Sequence, residues 1–171
     1  MKPTLWRRLD TLARQLVPSV SIFLLMLIGV VPLHIPALHA VAPALPLIAV
    51  FYWTLYRPDL LPAVAVFAAG LLQDILFGLP LGVSACMLVL VHAAVTTQHR
   101  FFLGKSFGII WLGFSLVAAG ALTLAWLATS AYNATLIPAD AIAFQALTTI
   151  GFYPILCWLL LRCQATLLRQ V

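Results

Sequence analysis

The sequence predicts an all-α, polytopic membrane protein with six transmembrane helices. Of its 171 residues, 64% are hydrophobic and only 8% are charged, against about 25% charged residues in an ordinary soluble domain. The mean hydropathy is +1.13. So few charges could not cover the surface of a soluble fold, and lipid must take the place of water around the apolar surface. The composition therefore excludes a secreted disulfide scaffold, a nucleic-acid-binding domain and a disordered chain.

Six apolar stretches have, or nearly have, the roughly 17–25 residues that a membrane-spanning helix needs. The predicted spans are Leu16–Leu33, Ala37–Tyr56, Leu60–Leu79, Leu81–Thr97, Phe107–Thr129 and Ile142–Leu161. The remaining segments are too short and too scattered to hold a soluble domain. The sequence therefore predicts one transmembrane domain over residues 16–161, preceded by a cytoplasmic segment (1–15) and followed by a short basic cytoplasmic tail (162–171).

The basic residues predict the orientation of these spans. If the N-terminus is cytoplasmic, all nine Lys and Arg residues fall on the inner side, and the outer connections hold none. Positive residues are retained on the cytoplasmic side of membrane proteins. A wrong number of spans would scatter the bases over both sides, so we expect six spans in the inner membrane with both termini cytoplasmic.

The segment before Leu16 has an amphipathic helical pattern. One stripe carries Trp6 and leucines, and the opposite face carries Arg7, Arg8 and Arg14. A basic face opposite a Trp/Leu face is typical of a helix that lies at the membrane surface. The alternative is that this segment extends the first span into the cytoplasm. The first span could also be a signal peptide, but its apolar run exceeds the roughly 7–15 residues of a signal core.

Asp74 is the ionisable residue deepest in a predicted span, and such a carboxylate costs roughly 2.5–3.5 kcal/mol on insertion scales. Gly70, Asp74 and Gly78 share one helix face, Gln73 is adjacent, and Gly82 follows the next turn. Small residues at this spacing let another helix approach closely. The set predicts a helix-packing or partner-binding face. Asp74 itself is either a proton, cation or ligand site, or a carboxylate bonded to a neighbouring backbone or to the 78–82 turn.

Aromatic residues mark the cytoplasmic end of the second span. Tyr52, Trp53 and Tyr56 lie at the depth where an interfacial belt is usual, and a partner-binding surface is the alternative. Pro43 and Pro46 interrupt the same span, where each proline removes a helical hydrogen bond.

No catalytic, cofactor or metal site is predicted. The chain has no Glu, and its four His and three Cys have no metal-ligand spacing. We find no nucleophile–base pair, carboxylate pair or phosphate loop, which argues against an enzyme.

Part of the chain resembles a known bacterial family. The order of residues in 46–53, Arg57-Pro58, the run from Gly70 to Gly78 and Leu81-Gly82 resembles the rod shape-determining protein MreD. The length, the six spans and a last span with Pro154 before a basic tail are also similar. Close similarity covers about a third of the chain.

The resemblance implies a non-catalytic scaffold subunit of the elongasome, which builds lateral-wall peptidoglycan and maintains rod cell shape. It implies MreC as the direct partner, with MreB, RodA and a class B penicillin-binding transpeptidase in the same complex. It also implies a fold like the six-helix substrate-binding subunits of energy-coupling-factor transporters. Two alternatives remain at this point, a substrate-capture subunit of a vitamin-type transporter and a membrane enzyme.

Overall fold

The computed structural model describes the backbone of residues 5–30, 42–102, 104–135 and 138–167, and the side chains of 16–30, 42–102, 104–135 and 138–165. These residues form six α-helices and, between the second and third, a 3₁₀ turn at Pro58–Leu60; no strand occurs within the described ranges. The all-α prediction is confirmed. The helices are α1 (Leu5–Val30), α2 (Leu45–Tyr56), α3 (Ala63–Phe77), α4 (Val83–Phe102), α5 (Phe107–Asn133) and α6 (Ala139–Leu167).

Among the residues whose side chains the structure describes, two helical stretches are long and apolar enough to cross a membrane, Phe107–Asn133 and Ala139–Ala165. Fewer than a third of the residues in the most apolar part of each helix are buried, and exposed leucines, phenylalanines and Trp158 face outward. In a soluble protein such a surface would be an aggregation hazard. In lipid it is the expected outer surface of a membrane protein.

The helix α2 is shorter than predicted. Residues 42–44 are not helical, so the helix begins at Leu45, eight residues after the start of the predicted Ala37–Tyr56 span; residues 37–41 lie outside the described part. Pro46 stands in the first turn, where its missing N–H has no helical partner to lose. Twelve residues at 1.5 Å rise give about 18 Å, well short of a bilayer core of about 30 Å.

The helix α3 is also shorter than the predicted Leu60–Leu79 span. It begins after Pro62, whose backbone is extended, and it ends at Gly78 in the left-handed conformation. Asp74 therefore lies in the last turn of a helix, which corrects the expectation that it lies deep within a span.

The core of the bundle is built around α2. Every residue from Leu45 to Leu55 is buried, and α2 contacts α1, α4 and α6. Its Phe51 ring packs edge-on against Phe114 of α5 and Tyr153 of α6, with ring centroids 5.1 and 5.9 Å away. Phe114 and Tyr153 stack on each other at 4.2 Å. This aromatic cluster joins three helices at the centre of the fold.

The helix α1 is continuous from Leu5 to Val30 and contains Pro18. This unbroken helix agrees with the alternative stated above, in which the segment before Leu16 extends the first span. The predicted surface anchor made of Trp6, Arg7, Arg8 and Arg14 stays a prediction, because these side chains lie outside the described set.

A proline in α6 is compensated by a side chain of α5. Pro154 has no N–H and cannot donate to the carbonyl of Ile150, four residues earlier. The indole Nε1 of Trp111 donates to that carbonyl oxygen at 3.0 Å. The helix therefore continues past Pro154 without an unpaired carbonyl, which would be costly in lipid.

Candidate functional site

Asp74 joins α3 to the start of α4. Its side chain is fully buried, with Oδ2 accepting from the Gly82 N–H at 2.8 Å and Oδ1 accepting from the Ser84 N–H at 2.9 Å. The first N–H groups of a helix have no partner within the helix. The Asp74 carboxylate therefore caps α4 from a neighbouring helix and lies at the positive end of its dipole. Both of its oxygens are engaged within the chain, as in the structural alternative for this residue.

The connection between α3 and α4 is a tight turn that depends on two glycines. Gly78 has φ +64° and Gly82 has φ +101°, both in the region that favours glycine. The Leu79 N–H donates to the Asp74 carbonyl at 2.9 Å and closes the end of α3. Asp74 therefore ends α3 with its main chain and begins α4 with its side chain.

Gly70 lets the two helices approach within backbone contact. A Cβ added at Gly70 would lie 2.7 Å from the Ala85 nitrogen and 3.0 Å from the Ser84 carbonyl carbon. Side chains other than hydrogen cannot occupy that space without moving α4. The structure thus places Gly70, Asp74 and the 78–82 turn in one contact inside this chain, which we call the α3–α4 hairpin. The face of Gly70 is covered by α4 and is closed to another protein.

Gln73 differs from its neighbour Asp74. Its side chain is partly buried, and its Oε1 has no hydrogen-bond partner in the structure. It is therefore not part of the cap on α4.

The predicted belt of interfacial aromatics is wrong for two of its three residues. Tyr52 and Trp53 are both 0% exposed, and Tyr56 is partly buried. The Tyr52 hydroxyl donates to Gln164 Oε1 of α6 at 2.8 Å, and Trp53 Nε1 donates to Ser21 Oγ of α1 at 2.7 Å. The rings face the bundle interior rather than lipid, because the surrounding helices offer hydrogen-bond partners for their polar atoms.

Sequence reasoning missed a polar pair between α2 and α4. Thr54 is fully buried, and its Oγ1 lies 2.9 Å from His92 Nδ1. With Tyr52 and Trp53, three consecutive residues of α2 are hydrogen-bonded to three different helices. At the other end of α2, the Ala44 N–H donates to Thr149 Oγ1 of α6 at 3.0 Å. The polar Thr54 in the otherwise apolar α2 run indicates that a hydrogen-bond partner exists. The sequence alone does not identify that partner as His92.

A groove runs along the outside of the bundle between α4 and α5. It consists of two adjoining cavities of about 450 and 280 Å³ that share Met87, Leu90 and Leu124. Its lining is apolar and includes the small residues Ala94, Gly120, Ala121, Ala125 and Ala128. A Cβ added at Gly120 would meet nothing within 4 Å. We call this surface the α4–α5 groove, and it can accept an apolar helix or chain at close range.

Within the described residues, no three His, Cys or Asp side chains come together as a metal site would require. Cys86, Cys157 and Cys163 form no disulfide with one another; Cys86 is exposed, Cys157 is buried and Cys163 is partly buried. What the described side chains form is a set of contacts between helices.

Comparison with known proteins identifies the family. The family model described as rod shape-determining protein MreD matches residues 11–163. No curated protein and no solved structure gives a match. The match covers all six helices almost completely, including the α3–α4 hairpin and α2. The chain therefore belongs to the MreD family, whose members are membrane proteins that determine rod cell shape.

Proposed function

We propose that this chain is a non-catalytic scaffold subunit of the elongasome in the inner membrane, where it binds MreC and supports lateral-wall peptidoglycan synthesis. The observation that carries the proposal is the family match across residues 11–163. MreB, RodA and a class B penicillin-binding transpeptidase are the further members of the proposed complex. The polar side chains of α2 and Asp74 are engaged between helices, which fits a scaffold better than a substrate site.

The proposed topology has six spans with both termini cytoplasmic. Its support is the distribution of charge along the bundle. The Ala44–Thr149 and Tyr52–Gln164 hydrogen bonds show that α2 and α6 run in the same direction, so Arg57 and Arg162 lie at the same end. We propose that this end is cytoplasmic, and that the helices are arranged as in the substrate-binding subunits of energy-coupling-factor transporters.

A reporter fusion tests this topology. Alkaline phosphatase fused after Val171 should be inactive, because that enzyme needs the periplasm, whereas green fluorescent protein at the same point should fluoresce. The matched fusion within the 134–138 connection should show the opposite pair of results. Active phosphatase at Val171 would refute the proposed orientation.

The proposed partner surface is the α4–α5 groove, and its proposed occupant is the transmembrane helix of MreC. The described connections between helices are short, and none offers the roughly 800 Å² per partner that a standard soluble interface buries. Recognition therefore has to use the membrane-embedded surface. Small residues such as Gly120 and Ala121 let a second helix pack closely, as is usual between helices in lipid.

Filling the groove should weaken the complex. With Gly120→Leu, we expect the tagged transmembrane segment of MreC to co-purify about tenfold less well, which corresponds to about 1.4 kcal/mol. Gly151→Leu is the matched control, because an added Cβ there also meets nothing within 4 Å but lies outside the groove. Equal capture by both variants would exclude this groove as the MreC site. Capture of only the soluble MreC domain would exclude an intramembrane interface altogether.

A further inference from the structure

The described basic side chains all lie at one end of the bundle. Arg57 follows α2 and Arg162 is near the end of α6, and these helices run in the same direction. Phe107, the first residue of α5, stacks on Tyr153 of α6 with ring centroids 6.2 Å apart. Lys105 precedes this residue, and Arg100 is in the last turn of α4. At the opposite end, the described exposed ionic side chain is Asp140, and the exposed Asp59 lies beside Arg57 at the end that carries the bases.

Two of these cations are held at the perimeter of the bundle. The Lys105 ammonium lies 5.5 Å from the centroid of the Phe101 ring, and the Arg162 guanidinium carbon lies 5.1 Å from that of Trp158. Both distances are within the range of a cation–π contact. The two rings are themselves exposed, Phe101 by 61% and Trp158 by 59%. The cations are therefore stacked on the outer, lipid-facing side rather than on the end of the bundle.

Trp rings of membrane proteins are enriched at the level of the lipid headgroups, and Trp158 and Phe101 each lie four residues from the base that they contact at this end of the bundle. A cation stacked on such a ring is kept at the same level, and its charge faces the phosphates of the surrounding lipids. Anionic lipids give the inner leaflet a negative potential that attracts bases at this depth. A site for an acidic partner protein would instead have its positive charges on the end of the bundle, where they face the cytoplasm and not the lipid.

We propose that Lys105 on Phe101 and Arg162 on Trp158 form a binding rim for the phosphate headgroups of anionic phospholipids. The rings fix where the charges stand, and the charges select anionic over zwitterionic headgroups. The rim is a lipid-binding site separate from the α4–α5 groove and does not depend on any protein partner.

Native mass spectrometry of the detergent-purified full chain tests the rim, with phosphatidylglycerol and phosphatidylcholine as probes. We expect phosphatidylglycerol to bind at least tenfold more tightly to the wild type. Lys105→Gln and Arg162→Gln should each weaken its binding about fivefold, the factor that about one base near an anionic surface contributes, with phosphatidylcholine unaffected. Phe101→Leu and Trp158→Leu should give smaller losses, because they keep the charge and remove only the ring.

Asp140→Asn at the other end is the matched control and should leave both affinities unchanged. Circular dichroism and gel filtration of each variant verify that the surface substitutions leave the fold intact. Equal affinity of the wild type for the two lipids would overturn the proposal, as would unchanged phosphatidylglycerol binding in the Lys105→Gln, Arg162→Gln double variant. Displacement of phosphatidylglycerol by millimolar inorganic phosphate would show a simple anion site, and would also overturn it. Unchanged binding in both leucine variants would contradict the role of the rings.

Discussion

Replacing Asp74 by leucine is expected to destabilise the protein more than any other single substitution at the α3–α4 hairpin. The change removes both acceptors of the Gly82 and Ser84 N–H groups. Each buried donor left without a partner costs about 1–3 kcal/mol, so the loss is about 2–6 kcal/mol before packing is counted. We expect Asp74→Leu to unfold at a much lower temperature in detergent and to lose MreC on co-purification.

The Asp74→Asn variant distinguishes a structural role of Asp74, which depends on its hydrogen bonds, from a role that depends on its charge. Asn has the size of Asp and keeps one acceptor oxygen, which by itself would lead us to expect that it largely replaces a structural Asp. The geometry changes that expectation, because Asn offers one oxygen where two N–H groups need acceptors, and its NH₂ faces the other donor. Asp74→Asn should therefore be intermediate, with a loss of about 1–3 kcal/mol. An Asn variant that is as stable as the wild type and binds MreC, yet gives round cells, would show a charge-dependent role instead.

The spacing of Gly70, Asp74 and Gly78 predicted a shared helix face, and the structure packs Gly70 and Asp74 of that face against α4. Gly78 instead ends α3 as an exposed C-cap, where an added Cβ would meet nothing within 4 Å. The partner of this face could not be predicted, because helical periodicity gives the direction of side chains along one helix and not the identity of what packs there. The α4 backbone fills the site, since the turn through Gly82 brings Ser84 and Ala85 back onto α3. A short turn after a glycine-rich face was the signal for an internal contact rather than a contact with another protein.

The aromatic residues of α2 show the opposite result. Hydropathy predicts the depth of a residue in the membrane, but a helix that faces lipid and a helix surrounded by other helices are equally apolar. Tyr52 and Trp53 were therefore predicted to face the membrane interface, whereas both side chains are buried inside the bundle. Their hydroxyl and indole N–H needed partners, and Gln164 and Ser21 provide them within the bundle. The same reasoning applies to Thr54 and His92, which lie 38 positions apart in the sequence.

The predicted Leu60–Leu79 span missed the start of α3 by three residues and its end by two, although proline and glycine mark both ends. Pro62 and Gly78 bound α3 as their backbone preferences require. The predicted second span was likewise drawn through Pro43 and Pro46 because the apolar run continues past them. The helix begins only at Leu45, so hydropathy gave the length of the apolar segment and not the length of the helix within it.

Adding a single methyl group at Gly70 is expected to push α3 and α4 apart. The alanine Cβ would lie 2.7 Å from the Ala85 nitrogen, and backbone atoms of a packed helix cannot move aside as a flexible side chain can. Overpacking of this kind costs typically about 1–3 kcal/mol. A displaced α4 also lengthens both hydrogen bonds to Asp74, so the loss should reach the upper part of that range. Thermal unfolding of purified Gly70→Ala in detergent measures it.

Gly120→Ala is the control, because its unfolding temperature should change in the opposite direction to that of Gly70→Ala. Gly120 is also in a helix interior, but its added Cβ meets nothing within 4 Å. Alanine stabilises a helix by about 0.8–1.0 kcal/mol relative to glycine, so this variant should unfold at the same or a slightly higher temperature. The two glycines should thus respond in opposite directions to the same methyl group. If Gly70→Ala were as stable as Gly120→Ala, the close backbone approach of α3 and α4 would be wrong, and with it the assignment of Asp74 as the cap of α4.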